Sequence, residues 1–265
     1  HLDQCRSQRL DGKRFRVDIM GGMAGMMLSQ KVGSIYTPLA GSLLFNGTSQ
    51  SLILSPGMTI GTSAYTVEGW FYNNSGFLSK GMMGTNETAG MHMFANATDG
   101  STISLDRNGG LGAITYQWPA GTLQTNKWQY IVLNRDASTN LETMWIGTFV
   151  NTSSYVTCAR ATTASGGVSP TGGTTTDNYN WSGASNWVGK YYGGYWPGYI
   201  TNFRVTIGAA RYTSSSATIT APNAPLTTNA NTKYLMLGAV ITTDSSGTQT
   251  IINDNTVTQT ATIPF

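Results

Sequence analysis

Charge is the scarcest property of this sequence. Only 10 % of its 265 residues are charged, against about a quarter in ordinary globular domains. Glutamate is scarcer still, with only Glu68, Glu87 and Glu142. None of the three has a second carboxylate two or four residues away. Glycoside hydrolysis needs two carboxyl groups about 5–5.5 Å apart for the retaining route, so the sequence argues against a hydrolase. No catalytic residue is assigned, and a non-enzymatic role is expected. Histidine is limited to His1 and His92. Such a pair could serve copper, since imidazole suits that metal, but no other feature supports a copper site. A Ser-His-Asp triad would have to use one of the same two residues, with no nucleophile-elbow motif beside it. Cys5 and Cys158 are the only cysteines. That excludes a disulfide framework, and two unpaired thiols are the expectation. No run of eighteen apolar residues occurs, so membrane insertion is not expected. No signal-peptide pattern is visible either.

What is present fills the gap. Gly, Ser, Thr and Asn are abundant, and 40 % of the chain is hydrophobic, with 7 Trp, 13 Tyr and 8 Phe. That is enough to bury a sizeable core. The net charge of +3 is unevenly placed. Arg6, Arg9, Lys13, Arg14, Arg16 and Lys31 face only Asp3, Asp11 and Asp18, while the rest of the chain holds nine basic and nine acidic residues. A neutral body gives no footprint for nucleic acid. Residues 1–36 therefore stand apart as a basic segment ending in a Met/Gly-rich run, Ile19–Leu28. Glycine weakens an isolated helix there by about 1 kcal/mol each, and methionine is over-used at binding surfaces. A docking arm is expected, with Arg6, Arg9, Arg14, Arg16, Met20, Met23, Met26 and Met27 as its contact residues. A short, locally packed helix is the alternative.

From residue 41 the pattern has period two. Ser42–Phe45 leads to Asn46-Gly47, a hairpin-type turn signal, and then to Ser51–Leu54. Tyr65–Tyr72 is aromatic and β-branched, which suits a central strand. Short strands are expected over 91–95, 101–106 and 111–117. Trp128–Leu133 and Thr143–Ile146 read as neighbours joined by a turn at Asp136–Asn140. Residues 161–185 read as a long polar loop, 186–207 and Tyr234–Leu237 return to strand, and the tail adds a weakly alternating end. This spacing predicts an all-β antiparallel β-sandwich with an extended N-terminal arm.

Several segments then carry a family resemblance. "SLLFNGTSQSLIL" (42–54), "YTVEGWFY" (65–72), "NKWQYIVLNRD" (126–136) and especially "WPGYITNFRVTIGAARYT" (196–213) resemble, in order, the laminin-G-like modules of the concanavalin A-like lectin/glucanase superfamily. "APNAPLT" (221–227) and "TKYLML" (232–237) resemble the segments that follow. The Ala-Arg-Tyr-Thr hook and the trailing "DSSG…IPF" are most similar to modules in structural proteins of marine bacteriophages, cyanophages especially. At Ile146-Gly147 the chain departs from the family's Asn-Gly turn. The resemblance implies a concanavalin A-like jelly roll over 37–240, with 241–265 as a tail or hairpin packed on it. It implies a virion protein, exterior on the particle, as a capsid decoration, tail or fibre component. Its partners would be other virion proteins, copies of itself and cell-surface glycans. A dedicated glycan-binding receptor-recognition protein of a phage tail is the alternative. No cofactor is expected. Calcium is the one metal the resemblance allows, with loop-side Asp99, Asp106 and Asp177 as its candidates. Glu68, mid-strand, reads as a carboxylate paired with an arginine such as Arg204.

The best binding signal is the aromatic run Trp181, Trp187, Tyr191, Tyr192, Tyr195 and Trp196. Flat rings beside Asn and Gly suit sugar faces. Trp187 and Trp196 read as core residues. Trp181, Tyr191, Tyr192 and Tyr195 are the glycan-binding candidates.

Overall fold

A computed structural model describes residues 34–85, 91–107, 114–166, 172–176, 186–238, 240–241 and 243–265. The docking-arm residues Arg6, Arg9, Arg14, Arg16, Met20, Met23, Met26 and Met27 lie outside the described residues, as do Cys5, Glu87, Asp177 and Trp181. The chain divides into two units, 1–32 and 33–265, and the second is described here. It starts slightly before residue 37, because Ile35 and Tyr36 are already bonded into it. The Ile35 amide donates to Thr152 O (3.0 Å) and the Tyr36 hydroxyl to Ser154 O (3.0 Å).

Among the described residues there is no helix, and twenty strands form. They are β1 (Ser42–Asn46), β2 (Ser51–Ser55), β3 (Tyr65–Asn73), β4 (Lys80–Thr85), β5 (Met91–Ala95), β6 (Thr102–Arg107) and β7 (Ile114–Gln117). Next come β8 (Trp128–Asp136), β9 (Leu141–Thr148), β10 (Thr157–Arg160), β11 (Thr163–Ser165), β12 (Thr174–Thr176) and β13 (Asn186–Val188). The last are β14 (Lys190–Tyr191), β15 (Gly194–Tyr195), β16 (Pro197–Ile207), β17 (Thr218–Thr220), β18 (Thr232–Met236), β19 (Thr250–Asp254) and β20 (Thr258–Thr260). The larger sheet runs β17-β10-β9-β8-β3-β16-β1-β20, with β12 also on β9 and β18 also on β16. The smaller runs β11-β7-β6-β5-β4-β13-β2-β19. The pairs are antiparallel, and the two sheets form the expected sandwich.

Alternation places one set of side chains between the sheets. Tyr65, Val67 and Phe71 of β3, Ile131 and Leu133 of β8, and Met144 and Ile146 of β9 meet Met91, Met93, Ile103, Leu105, Ile114 and Tyr116 from the smaller sheet. The larger sheet is also buried on its other face. There Trp70, Trp128, Tyr130, Val132 and Trp145 form a second cluster. It is covered by Leu39 from the start of the described chain, by Val156 and Ala221 from loops, and by Ile263 and Phe265 from the end. This explains why all but the last residue of β8 are buried.

Three local readings of the sequence change. Asn46-Gly47 does not close a hairpin. β1 pairs with β16 and β20, whereas β2 pairs with β13 and β19. The turn is an arch from one sheet to the other. Asn46 Oδ1 holds it by accepting from the amides of Thr48, Ser49 and Gln50, and Gly47 takes a left-handed φ of 74° beside Pro197. The polar stretch 161–185 is not loop throughout. β11 and β12 lie in it, because their threonines pair with β7 and β9. The tail is not a hairpin, since β19 joins the smaller sheet and β20 the larger. The turn at Asp136–Asn140 is present, with Asp136 opposite Leu141 and Asn140 at φ 55°. The departure at Ile146-Gly147 also has a cause. A Cβ on Gly147 would stand 2.7 Å from both Cys158 Sγ and Val156 Cγ1.

Candidate functional site

The carboxylates come first, because they decide what chemistry is available. Glu68 lies opposite Arg204 in the β3–β16 ladder. A bulge at Asn202, with φ 49°, keeps both Ile200 and Phe203 inside and turns Arg204 outward. Arg204 Nε donates to Glu68 Oε1 at 2.8 Å, and Nη2 donates to the same oxygen. Tyr130 and Tyr212 hydroxyls donate to Oε2, each at 2.6 Å. Glu68 is thus a fully bonded carboxylate on the outer face of the larger sheet. Burial, then the neighbouring Glu68 charge, holds the Tyr130 and Tyr212 phenols well above the ordinary tyrosine range. Glu142 sits opposite Arg135 in the β8–β9 ladder, on the other, inward face of the same sheet. It accepts from Tyr116 of the smaller sheet (2.8 Å) and from Tyr65 of the larger. Both carboxylates are buried and are separated by the sheet itself, so they cannot flank one bond.

The smaller sheet is different. Its outer face is built from Thr102, Ser104 and Asp106 of β6, Thr115 and Gln117 of β7, and Thr163 and Ser165 of β11. These positions alternate with the core residues Ile103, Leu105, Ile114 and Tyr116. The register aligns Phe94, Ser104, Thr115 and Ser165 in one row, and Thr102, Gln117 and Thr163 in the next. Asn96 Nδ2 donates to Ser104 Oγ at 3.2 Å, and Ser104 and Thr115 hydroxyls lie 3.4 Å apart. Gln117, Thr163 and Ser165 are exposed. The result is a neutral strip of hydroxyls and amides, with Asp106 at one end.

Beside this strip lies the hairpin β14–β15, which pairs Lys190 with Tyr195 and Tyr191 with Gly194. It rests on β4, where Gly81 and Gly84 leave room. A Cβ on Gly81 would fall 2.2 Å from the Tyr191 amide nitrogen. Tyr191 is consequently buried, stacked on Phe94 with ring centroids 4.1 Å apart and planes 5° apart. Tyr192 at the tip is 80 % exposed and lies over His92, 6.5 Å between centroids. Tyr195 is half-buried, and Lys190 Nζ sits between its ring (5.0 Å) and that of Trp187 (4.3 Å). Trp187 continues outward into a row with Ile53 and Ile252.

Three of the four sequence-proposed glycan residues therefore share one hairpin, and they differ in what they offer. Tyr192 presents an exposed ring, Tyr195 a half-buried ring with a cation contact, and Tyr191 serves as the hairpin's foot. Trp181 lies outside the described residues. Trp196 is a core residue, edge-on to Phe71 at 5.5 Å. Trp187 is on the outer face rather than in the core, because its register partners Ile53 and Gly84 point outward. The hydroxyl strip went unread in the sequence. Its signal was the alternation of Thr, Ser and Asp with apolar residues over 102–106. Asp99 lies in the loop after β5, where its carboxylate accepts from the Ser101 amide at 3.0 Å. Asp106 lies on the strip opposite His92. No group of three or more His, Cys, Asp or Glu residues suited to a metal occurs among the described residues.

No family model matches the sequence, and no curated protein matches it. Solved structures do. One is a Bacteroides ovatus protein described as a proposed carbohydrate-binding protein. It is 15 % identical, with a TM-score of 0.52 over 84 % of this chain and 60 % of that one. Others are domains LG4-5 of the mouse laminin alpha1 chain (13 %, TM-score 0.42, 72 % and 48 %) and a heptameric SAP-like pentraxin from Limulus polyphemus (13 %, TM-score 0.47, 85 % and 97 %). The chain spans less than two thirds of the length of the Bacteroides structure. The likeness is one of fold.

Proposed function

We propose that this sandwich is a non-enzymatic carbohydrate-binding module whose binding face is the outer side of the smaller sheet. One observation carries the reading. The larger sheet's outer face is covered by the chain's own segments, whereas the smaller sheet's presents a hydroxyl and amide strip beside an aromatic hairpin. A sugar has an apolar ring face and a rim of hydroxyls. The first stacks on Tyr192, and the second exchanges hydrogen bonds with Thr115, Gln117 and Thr163. The likeness to the Bacteroides structure, itself described as a proposed carbohydrate-binding protein, supports this reading.

The test is a glycan array followed by titration of any hit. Tyr192→Ala and Tyr195→Ala should weaken binding roughly tenfold each, the scale of one lost aromatic contact. Trp181→Ala belongs in the same series. Tyr155→Ala, an exposed aromatic elsewhere, should leave binding intact. A flat array, or equal loss in all variants, would remove the proposal.

For where the module acts, we propose display on a virion exterior, with residues 1–32 as the anchor. The support is in the sequence: the net positive charge lies entirely in residues 1–31, and the body is neutral. Deleting 1–32 should leave a soluble sandwich that no longer joins the particle. Retention on the particle would count against it.

A further inference from the structure

The Ala-Arg-Tyr-Thr hook brings a second arginine to a carboxylate already paired with Arg204. The hook is pinned to the larger sheet by backbone and polar contacts. The Arg211 amide donates to Thr66 Oγ1 (3.0 Å) and Asn134 Oδ1 (3.1 Å), and Asn134 Nδ2 donates to Tyr212 O (3.0 Å). Tyr212 points inward to Glu68, as described. Arg211 joins that network as a longer ion pair rather than as a hydrogen bond. Its Nε is 3.6 Å from Glu68 Oε1, beyond hydrogen-bond reach. Glu68 is already satisfied by Arg204 and two phenols. The Arg211 side chain keeps 30 % of its surface exposed, and so stays within reach of a ligand. Glu68 and Arg204 cancel, and Arg211 leaves one positive charge over.

That charge faces a cleft of about 260 Å³ lined by Arg204, Tyr212, Pro222, Ala224, Pro225 and Thr227 as well. Arg204 Nη1 reaches the same lining by donating to Thr227 O at 2.8 Å. The size is below the roughly 300–1,000 Å³ of pockets for drug-sized ligands, so it fits one small acid or one ring. On its other side Arg211 borders a second cleft that contains Asp136. The two make no ion pair, and Asp136 is occupied by Ser138, whose amide and hydroxyl both donate to it.

We infer that the cleft between the hook and the 222–227 segment is a binding site for a small organic carboxylate, held by Arg211. A guanidinium matches a planar carboxylate with two parallel hydrogen bonds. Within the cluster of Glu68, Arg204 and Arg211 one positive charge is in excess, which favours a monoanion. A dianion such as sulfate would turn that excess into one negative charge. The site is on the opposite sheet from the glycan face and does not depend on it.

The test uses the full chain with sodium glucuronate as the probe, glucose as the neutral control and sodium sulfate as the dianion. Amide NMR titration should show saturable glucuronate shifts at Arg211, Ala224 and Leu226. Glucose should give none, and sulfate weaker ones. Arg211→Gln should weaken glucuronate binding roughly tenfold to a hundredfold, the factor carried by a lost charge-assisted hydrogen bond. Arg160→Gln, whose guanidinium bonds only Ser215 O, should change nothing. Ala224→Asp places a carboxylate in the cleft and should block the probe while the remaining spectrum is preserved. No glucuronate binding would overturn the inference. So would equal binding of glucose, tighter binding of sulfate, or undiminished binding in Arg211→Gln or Ala224→Asp.

Discussion

Gly81→Ala tests how the aromatic hairpin is seated. The added methyl carbon would lie 2.2 Å from the Tyr191 nitrogen and 2.6 Å from both Gly194 O and Lys190 C. All three are backbone atoms, so no side chain can rotate away. Ordinary carbon contacts begin near 3.4 Å, so the hairpin must lift by roughly 1 Å or more. Overpacking of this kind costs about 1–3 kcal/mol. Separating the Tyr191–Phe94 stack costs about 0.5–1.5 kcal/mol more. The expected total is about 2–4 kcal/mol, bounded above by complete detachment of the hairpin, which leaves the inter-sheet core intact. Urea unfolding should show a lower midpoint with an unchanged slope. Through-space NMR contacts between the Tyr191 and Phe94 rings should weaken or vanish. Gly84→Ala provides the graded comparison. Its nearest contacts would be 3.0 Å, one of them to the His92 ring, so it should cost less. Wild-type stability with retained ring contacts in Gly81→Ala, or a larger loss in Gly84→Ala, would refute the argument.

Other outcomes follow from the buried polar groups. Glu68→Gln leaves Arg204 buried without its counter-charge and should destabilise by roughly 3–5 kcal/mol; Glu68→Leu combined with Arg204→Met should recover much of that loss, and strict additivity in the double-mutant cycle would contradict it. Burial pushes the Cys158 thiol from 9.0 up to about 12 and also raises the Tyr130, Tyr212 and Tyr234 phenols. Each group ionises at lower pH in the unfolded chain. Above about pH 9 the unfolded state therefore binds fewer protons, and stability should be complete below that pH and fall as pH rises towards 12. Urea midpoints at pH 8, 9.5 and 11 check the sign, and Cys158→Ala should flatten the slope. In a Cys5→Ser background, Cys158 should resist a thiol reagent until urea unfolds the chain; rapid native-state labelling would contradict its burial. Glycan binding at the neutral smaller-sheet face should change little between 50 and 500 mM salt, because few charges there can be screened.

The sequence was legible where structure depends on neighbours along the chain. Tyr65–Asn73 and Trp128–Asp136 carry the aromatic and β-branched residues of central strands, and both form. Asp136–Asn140 closes its hairpin because the turn and the flanking register are local. Asn46-Gly47 misled, because the same left-handed turn serves an arch between sheets. Which one forms depends on β16 and β13, residues more than a hundred positions away. The hairpin at 190–195 was visible as aromatics, but its orientation depends on two glycines in β4. The cover of the larger sheet comes from residues 36–39, 149–156 and 263–265, whose convergence is not a property of any one segment. A trace of it existed in β8, whose positions alternate Trp, Tyr and Val with Gln, Ile and Leu and so are apolar on both faces.

That two-sided burial also explains the use made of charge. A buried ion pair is costly unless every donor and acceptor is matched. In this fold Glu68 is matched by Arg204, Tyr130 and Tyr212, and Glu142 receives two tyrosine hydroxyls. Tyr116 and Tyr65 come from different sheets, so Glu142 ties the sandwich across its core, while Glu68 ties the hook to the outer face. With so few acids in the chain, the two described glutamates are both committed to this bracing. On the proposed reading, recognition falls to neutral hydroxyls, amides and rings on the smaller sheet. Such groups discriminate by hydrogen-bond geometry and ring stacking instead of field strength, which is how a ligand that is itself a neutral polyol must be read. Arg211 stands outside this division. It is carried by the same hook that braces Glu68, so that one carboxylate serves two arginines and one positive charge is left over. A carboxylate ligand would supply the second counter-charge that Glu68, shared between two arginines, leaves wanting.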